Sequence, residues 1–238
     1  MKKNILIPEY NNKGIFLRKV RSFVRRQGRI TRSQLNAIKQ FWPSMGIDIQ
    51  ENRLNFSSIF DRPAPIVLEI GFGSGKSLVK TAISFPDINF LGIEVYKSGI
   101  GSCLRFAHIS NIQNLKIIYH DANEVLNTMI DNDTLSTVQV FFPDPWNKKR
   151  HHKRRMLNRD FLQVISKKLK ISGILHIITD SKEYAHYILE NIKSIKNYKN
   201  ISQLDHLTMY PFFNITTKFE KKACLHGNAI FRLIFRSN

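Results

Sequence analysis

The chain has little with which to build a covalent or metal framework. Its 238 residues include two cysteines, Cys103 and Cys224, far apart and outside any Cys-x-x-Cys pair. That excludes a disulfide scaffold and a cysteine zinc site, and it predicts a reduced, cytoplasmic protein. Long apolar runs are missing too. Met1-Lys2-Lys3 is basic, but Asn4-Ile5-Leu6-Ile7-Pro8 is too short for the apolar part of a signal sequence, so none is expected. No run approaches the roughly 18 residues of a membrane helix, so no membrane partner is expected. Acidic residues are scarce: 18 Asp and Glu face 37 Lys and Arg, a net charge of +19, and residues 10–47 contain no acid at all. Hydrophobic residues make up 42% of the chain, enough for one sizeable core in a domain of ordinary size.

A field of that sign favours a polyanion: RNA, DNA or an anionic membrane surface. Lysines in a chain rich in Ile and Asn can arise from compositional drift, but the arginines are clustered. Of fifteen, six lie between Arg18 and Arg32 and four between Arg150 and Arg159. Clustering of this kind points to nucleic acid. Arg18, Arg21, Arg25, Arg29 and Arg32 recur at helical spacing, opposite Phe16, Leu17, Val20, Phe23 and Val24, although Gly28 weakens a continuous helix. A helix is predicted from near Ser33, and "FWPSMG" (Phe41 to Gly46) reads as the turn that ends it. We therefore expect a basic extension over 1–55 and a catalytic-type domain over 56–238.

From Pro65 short apolar runs alternate with amphipathic ones. Strands are predicted at 66–71, 90–94, 115–120, 137–142 and 173–179. Helices should follow from about Lys76, Lys97, Glu124, Asn158 and Tyr184, and a last strand lies at 229–235. The strands are nearly continuous in apolar residues, as in a parallel sheet covered on both faces. Five such units in series predict a doubly wound α/β fold.

The first strand runs into "EIGFGSGKS". A P-loop needs Gly at the position of Ile70, and a dinucleotide fingerprint needs Gly at Lys76, so both motifs fail. What remains is Glu69 followed by Gly71, Gly73 and Gly75 at a strand-to-helix turn. Glycines there let a ligand approach the backbone closely. A carboxylate beside them repels phosphate and suits an ammonium, which S-adenosylmethionine carries. Glu94 ends the second strand, about 20 residues on, where an acid accepts from a ribose diol. Asp121 follows the third strand, within reach of an adenine amine by analogy with that layout. The fourth strand ends in "FFPDPWNKKRHHKRRML". Asp144 sits between Pro143 and Pro145 in a stiffened loop at the ligand-binding end of the sheet. Trp146 either stacks on a base or anchors the core. The basic run Lys148 to Arg155 at the mouth of this site suggests a nucleic-acid acceptor. His151-His152 lacks further ligands, so no metal is expected.

"EIGFGSG", "GIEVYKSG", "PDPWNKKRHHKRR", Thr179-Asp180 and "TKFE" (Thr217 to Glu220) occur in the order and spacing of one family. Over nearly its whole length the chain resembles the bacterial tRNA (guanine-N7-)-methyltransferases. The resemblance implies a Rossmann-like methyltransferase fold, doubly wound and mostly parallel with an antiparallel C-terminal strand. It implies S-adenosylmethionine as methyl donor and guanine 46 of the tRNA variable loop as acceptor. It places Glu69, Gly71, Gly73, Gly75, Glu94, Asp121 and Asp144 against the donor, with Asp144 also catalytic. Lys148, Asp180, Thr217, Lys218, Phe219 and Glu220 would hold the target guanosine. Arg150, His151, His152, Lys153, Arg154 and Arg155 would contact RNA. A monomer with tRNA as partner and no obligate protein partner is expected. The family usually carries small residues where this chain has Lys76, which is therefore expected to point away from the donor. Two readings compete: a methyltransferase with another acceptor, such as rRNA or a protein, and a non-catalytic RNA-binding protein that retains the fold.

Overall fold

The apolar runs lie side by side as one sheet. The computed structural model describes residues 29–202 and 217–238, with Lys218 as backbone only. Its strands are β1 (Gly46–Ile47), β2 (Ile66–Ile70), β3 (Asn89–Glu94), β4 (Leu115–Tyr119), β5 (Leu135–Phe141), β6 (Leu169–Thr179), β7 (Tyr198–Asn200) and β8 (Phe231–Ser237). They hydrogen-bond in the order β1-β4-β3-β2-β5-β6-β8-β7. Pairings from β1 to β6 are parallel, and β8 is antiparallel to both β6 and β7. The helices are α1 (Arg32–Met45), α2 (Phe56–Phe60), α3 (Lys76–Ser84), α4 (Lys97–Ile109), α5 (Ala122–Thr128), α6 (Arg159–Lys168), α7 (Lys182–Lys193) and α8 (Lys218–Leu225), with a 3-10 helix over Lys149–Arg154.

Every residue of β2 and β3 is buried, which explains why these strands read as unbroken apolar runs. Alternate residues feed two cores. Val67, Phe90, Leu115 and Ile117 pack with α1, α3 and α4 through Ala37, Leu78 and Leu104. Leu68, Leu91, Val138 and Ile177 pack with α5, α6 and α7 through Val125, Leu162 and Ile188. Leu68 is fully buried, so its truncation to Ala costs roughly 2–5 kcal/mol.

One expectation is corrected at the N-terminal side. Phe41 to Gly46 is not a turn: α1 continues through Pro43 to Met45, and Gly46 opens β1. Tertiary packing outweighs the proline here, because Ala37 and Met45 are buried and Phe41 stacks on His108 of α4 at 3.9 Å. The described part of the segment before residue 55 adds to the same sheet and helix layer, since β1 pairs with β4 and α1 packs on α4. The apolar and basic faces predicted for 16–28 lie outside the described residues. β7, α2 and α8 had no counterpart in the periodicity.

The chain runs outward from β2 through β3 to β4, then returns to place β5 on the other side of β2. The switch point of the sheet is therefore between β2 and β5. Loops leaving the carboxyl ends of these neighbours face one crevice.

Candidate active site

β2 delivers Glu69 and the glycine turn to that crevice. Glu69 is 4% exposed, and its carboxyl is pushed up to about 8, first by burial and then by the charge of Glu94. Gly71 donates its N–H to the Ile93 carbonyl at 2.8 Å, tying the turn to β3. Gly75, with φ of 73°, caps α3, and a Cβ there would lie 2.3 Å from Cys103 Sγ of α4. Left-handed backbone and close helix packing both demand glycine at this position. Above Gly71 and Gly73 an added Cβ would meet nothing within 4 Å, so the turn borders open space. Lys76 leaves the turn sideways and rests over the Phe106 ring of α4, 5.0 Å from its centre.

Glu94 ends β3 as predicted from the strand pattern. Its Oε2 accepts from Gly73 N at 2.8 Å, and its Oε1 accepts from Val95 N and Tyr96 N at 2.6 and 3.0 Å. Burial raises its pKa, while these three backbone bonds oppose the rise. Asp121 follows β4 and caps α5, accepting from Asn123 N at 2.8 Å. A cavity of about 240 Å³ opens between Asp121, Asn123, Lys153, Arg154 and Phe161.

The loop after β5 carries Asp144 on its exposed crest. Phe142 and Trp146 bracket it, both with φ of 50°. Two non-glycine residues in the left-handed region cost roughly 1–3 kcal/mol each and persist only where neighbours fix them. Phe142 donates its N–H to Ile178 O at 2.7 Å, and its ring stacks on Phe219 of α8 at 5.8 Å. That stacking brings the Thr217–Glu220 segment to the same rim as Asp144, with Asp180 exposed just beyond the end of β6. Trp146 is half-buried, with Arg154 over its ring at 5.1 Å and His151 edge-on at 5.8 Å.

The basic 3-10 helix begins where this loop ends. Lys148, Lys149, Arg150 and Lys153 are exposed. Desolvation and then the charges of Arg150, Arg154, Lys148 and Lys153 hold the His151 imidazole below its usual pKa. Among the described residues no group of His, Cys, Asp and Glu could hold a metal ion, and no helix is long and apolar enough to cross a membrane.

A family model described as "Putative methyltransferase" matches residues 63–233. The chain is 64% identical over 236 residues to the tRNA (guanine-N(7)-)-methyltransferase of Buchnera aphidicola subsp. Acyrthosiphon pisum (strain Tuc7), across 99% of each chain. This protein belongs to the tRNA (guanine-N(7)-)-methyltransferase family. A relative of the same name from Salmonella choleraesuis (strain SC-B67) is 45% identical over 235 residues, covering 99% of this chain and 98% of that one. Among solved structures, a 16S rRNA methyltransferase, KamB, aligns at a TM-score of 0.52 and 10% identity, over 77% of this chain and 92% of that one. That likeness is one of fold alone.

Within this tRNA (guanine-N(7)-)-methyltransferase family member, two predicted contact residues carry structural partners. Glu220 and Thr217 form a reciprocal capping box at the start of α8, and Glu220 also pairs with Arg232 of β8. The Thr-x-x-Glu spacing was a legible signal for that helix start. Arg155 departs from the rest of the basic run: it is 2% exposed and bonded to Pro145 O and Glu183. Its guanidinium is turned inward, onto the Pro145 carbonyl and the Glu183 carboxylate. Glu183 and Phe142 were not singled out in the sequence, because each acts through a partner distant along the chain.

Proposed function

We infer that this chain transfers a methyl group from S-adenosylmethionine to N7 of a guanine in tRNA, and that the guanine is position 46 of the variable loop. One observation carries the reading: β2 and β5 are adjacent, so the Glu69–Gly75 turn and the Asp144 loop share a crevice whose rim continues into the basic helix.

The residues present fit the donor. The open space above Gly71 and Gly73 accommodates a ligand against backbone, and two buried acids, Glu69 and Glu94, lie beside the turn. Glu69 would take the ammonium, Glu94 the ribose diol and Asp121 the adenine amine, with Gly71, Gly73 and Gly75 beneath and Asp144 at the opposite wall. When bound, S-adenosylmethionine supplies a methyl group made electrophilic by its sulfonium.

Guanine N7 carries an in-plane lone pair and loses no proton. The side chains therefore contribute by alignment and by excluding water. The methylated base becomes cationic, so carboxylates near the ring favour the transition state electrostatically. Asp144 acts in this way more than as a base. Asp180 and Glu220 accept from guanine N1–H and N2–H2. Glu220 keeps acceptor capacity beside Arg232, because each carboxylate oxygen has two lone pairs. Lys148, Thr217, Lys218 and Phe219 complete the base site. Arg150, His151, His152, Lys153 and Arg154 meet tRNA phosphates, and the target base leaves its tertiary pairing to enter.

The test is methyl transfer from radiolabelled S-adenosylmethionine to an unmodified tRNA transcript carrying G46, beside the same transcript with A46. Label on the first alone, released as 7-methylguanine, is the expected result. Label on both moves the target, and label on neither refutes the assignment.

A further inference from the structure

Arg155 closes a basic run, yet its surroundings are those of a structural clamp. Its Nε donates to Pro145 O at 2.9 Å, and its Nη2 donates to Glu183 Oε1 at 2.7 Å. Its Cζ lies 5.3 and 4.9 Å from the ring centres of Tyr184 and Tyr187. Glu183 and both tyrosines belong to α7. One guanidinium thus ties the loop after β5 to a helix that follows a different strand. The planar fork is well shaped for such a tie, because it bonds in two directions in its plane and offers its faces to aromatic rings.

Pro143 and Pro145 have no N–H, so the Asp144 loop has few backbone bonds with which to hold its shape. Among the described residues it is fixed at one end by the Phe142 N–H on Ile178 O and at the other by Arg155 on Pro145 O. Asp144 and Trp146 flank that carbonyl. A loop bracketed by two left-handed residues keeps its conformation only where neighbours over-determine it.

We propose that Arg155, held by Glu183, is a positioning residue that orients the Asp144 loop for methyl transfer, and that it takes no phosphate of the tRNA. The inference rests on Asp144 serving that transfer as set out above, and D144N tests that premise separately.

The experiment compares R155K with R150A, using full-length protein, G46 tRNA and S-adenosylmethionine. R155K retains the charge and loses the fork. At saturating substrates its kcat should fall about tenfold or more, while its tRNA Kd stays within about twofold and its salt slope equals wild type. R150A should instead make the slope shallower by about 0.9. In a D144N background, followed by single-turnover label transfer, R155K should produce little further loss, because it acts through that loop. In a W42F background the emission of Trp146 should shift on R155K. E183Q, which leaves Arg155 in place without its anion, should reproduce these effects more weakly and serves if R155K does not fold. A shallower salt slope with unchanged kcat in R155K would make Arg155 a phosphate ligand. Equal losses from R155K with and without Asp144 would also overturn the proposal. Full activity in D144N would instead remove its premise.

Discussion

With Glu69 proposed to take the donor's ammonium, the affinity for S-adenosylmethionine should depend on pH, with a sign that can be worked out beforehand. Burial and the neighbouring Glu94 charge push its carboxyl up to about 8 in the free protein. The donor's ammonium needs the ionised form. At pH 6 about one molecule in a hundred carries that anion, and at pH 7.5 about one in four, so the apparent Kd should tighten about twentyfold over this interval. The interval stops at 7.5 because an α-amino group itself begins to lose its proton near 7.7–8.0. Isothermal titration in buffers of different ionisation enthalpy should also register release of close to one proton at pH 6. E69Q should bind weakly and lose most of the slope. A wild-type Kd that is flat from pH 6 to 7.5, or one that E69Q follows in parallel, would refute the reasoning. Stability runs the opposite way. The folded-state pKa of Glu69 lies above its value of 4.5 in the unfolded chain. Its contribution is therefore complete below about pH 4.5 and is lost as pH rises through about 8, by an amount on the order of 5 kcal/mol. E69Q should accordingly have the higher Tm at pH 8.5 without donor.

A Cβ on Gly99 of α4 would lie 2.2 Å from the Gly73 carbonyl, so G99A must move the glycine turn. Overpacking of this kind costs roughly 1–3 kcal/mol, and titration should show S-adenosylhomocysteine binding weakened by about fivefold to a hundredfold; unchanged affinity would mean that the turn gives way freely. Replacing Arg150 and Arg154 together with Ala should reduce the slope of log K against log salt for tRNA by roughly 2, and an unaltered slope removes the basic helix from the phosphate surface. E220Q keeps a capping residue for α8, so far-UV dichroism should not change, yet the preference for G46 over A46 tRNA should fall about tenfold as a charged acceptor is lost. Full discrimination by E220Q would take Glu220 out of base recognition.

By itself the sequence determined the strand and helix succession from Pro65 onward, because strands buried on both faces leave near-continuous apolar runs. It also determined the acids near the ends of β2 and β3 and the failure of both phosphate-binding glycine motifs, since those depend on spacing along the chain. Other features were decided only by tertiary structure. The proline at position 43 looks like a helix stop, but burial of Ala37 and Met45 against α4 carries the helix past it. The crevice exists because β5 returns beside β2, a choice of neighbour that no local pattern encodes. Arg154 and Arg155 are adjacent and alike in sequence, yet one lies over Trp146 near solvent while the other is buried against Glu183, Tyr184 and Tyr187. Whether a cation faces water or a carboxylate depends on what the fold sets opposite it, and here that partner lies on a helix nearly thirty residues farther along the chain.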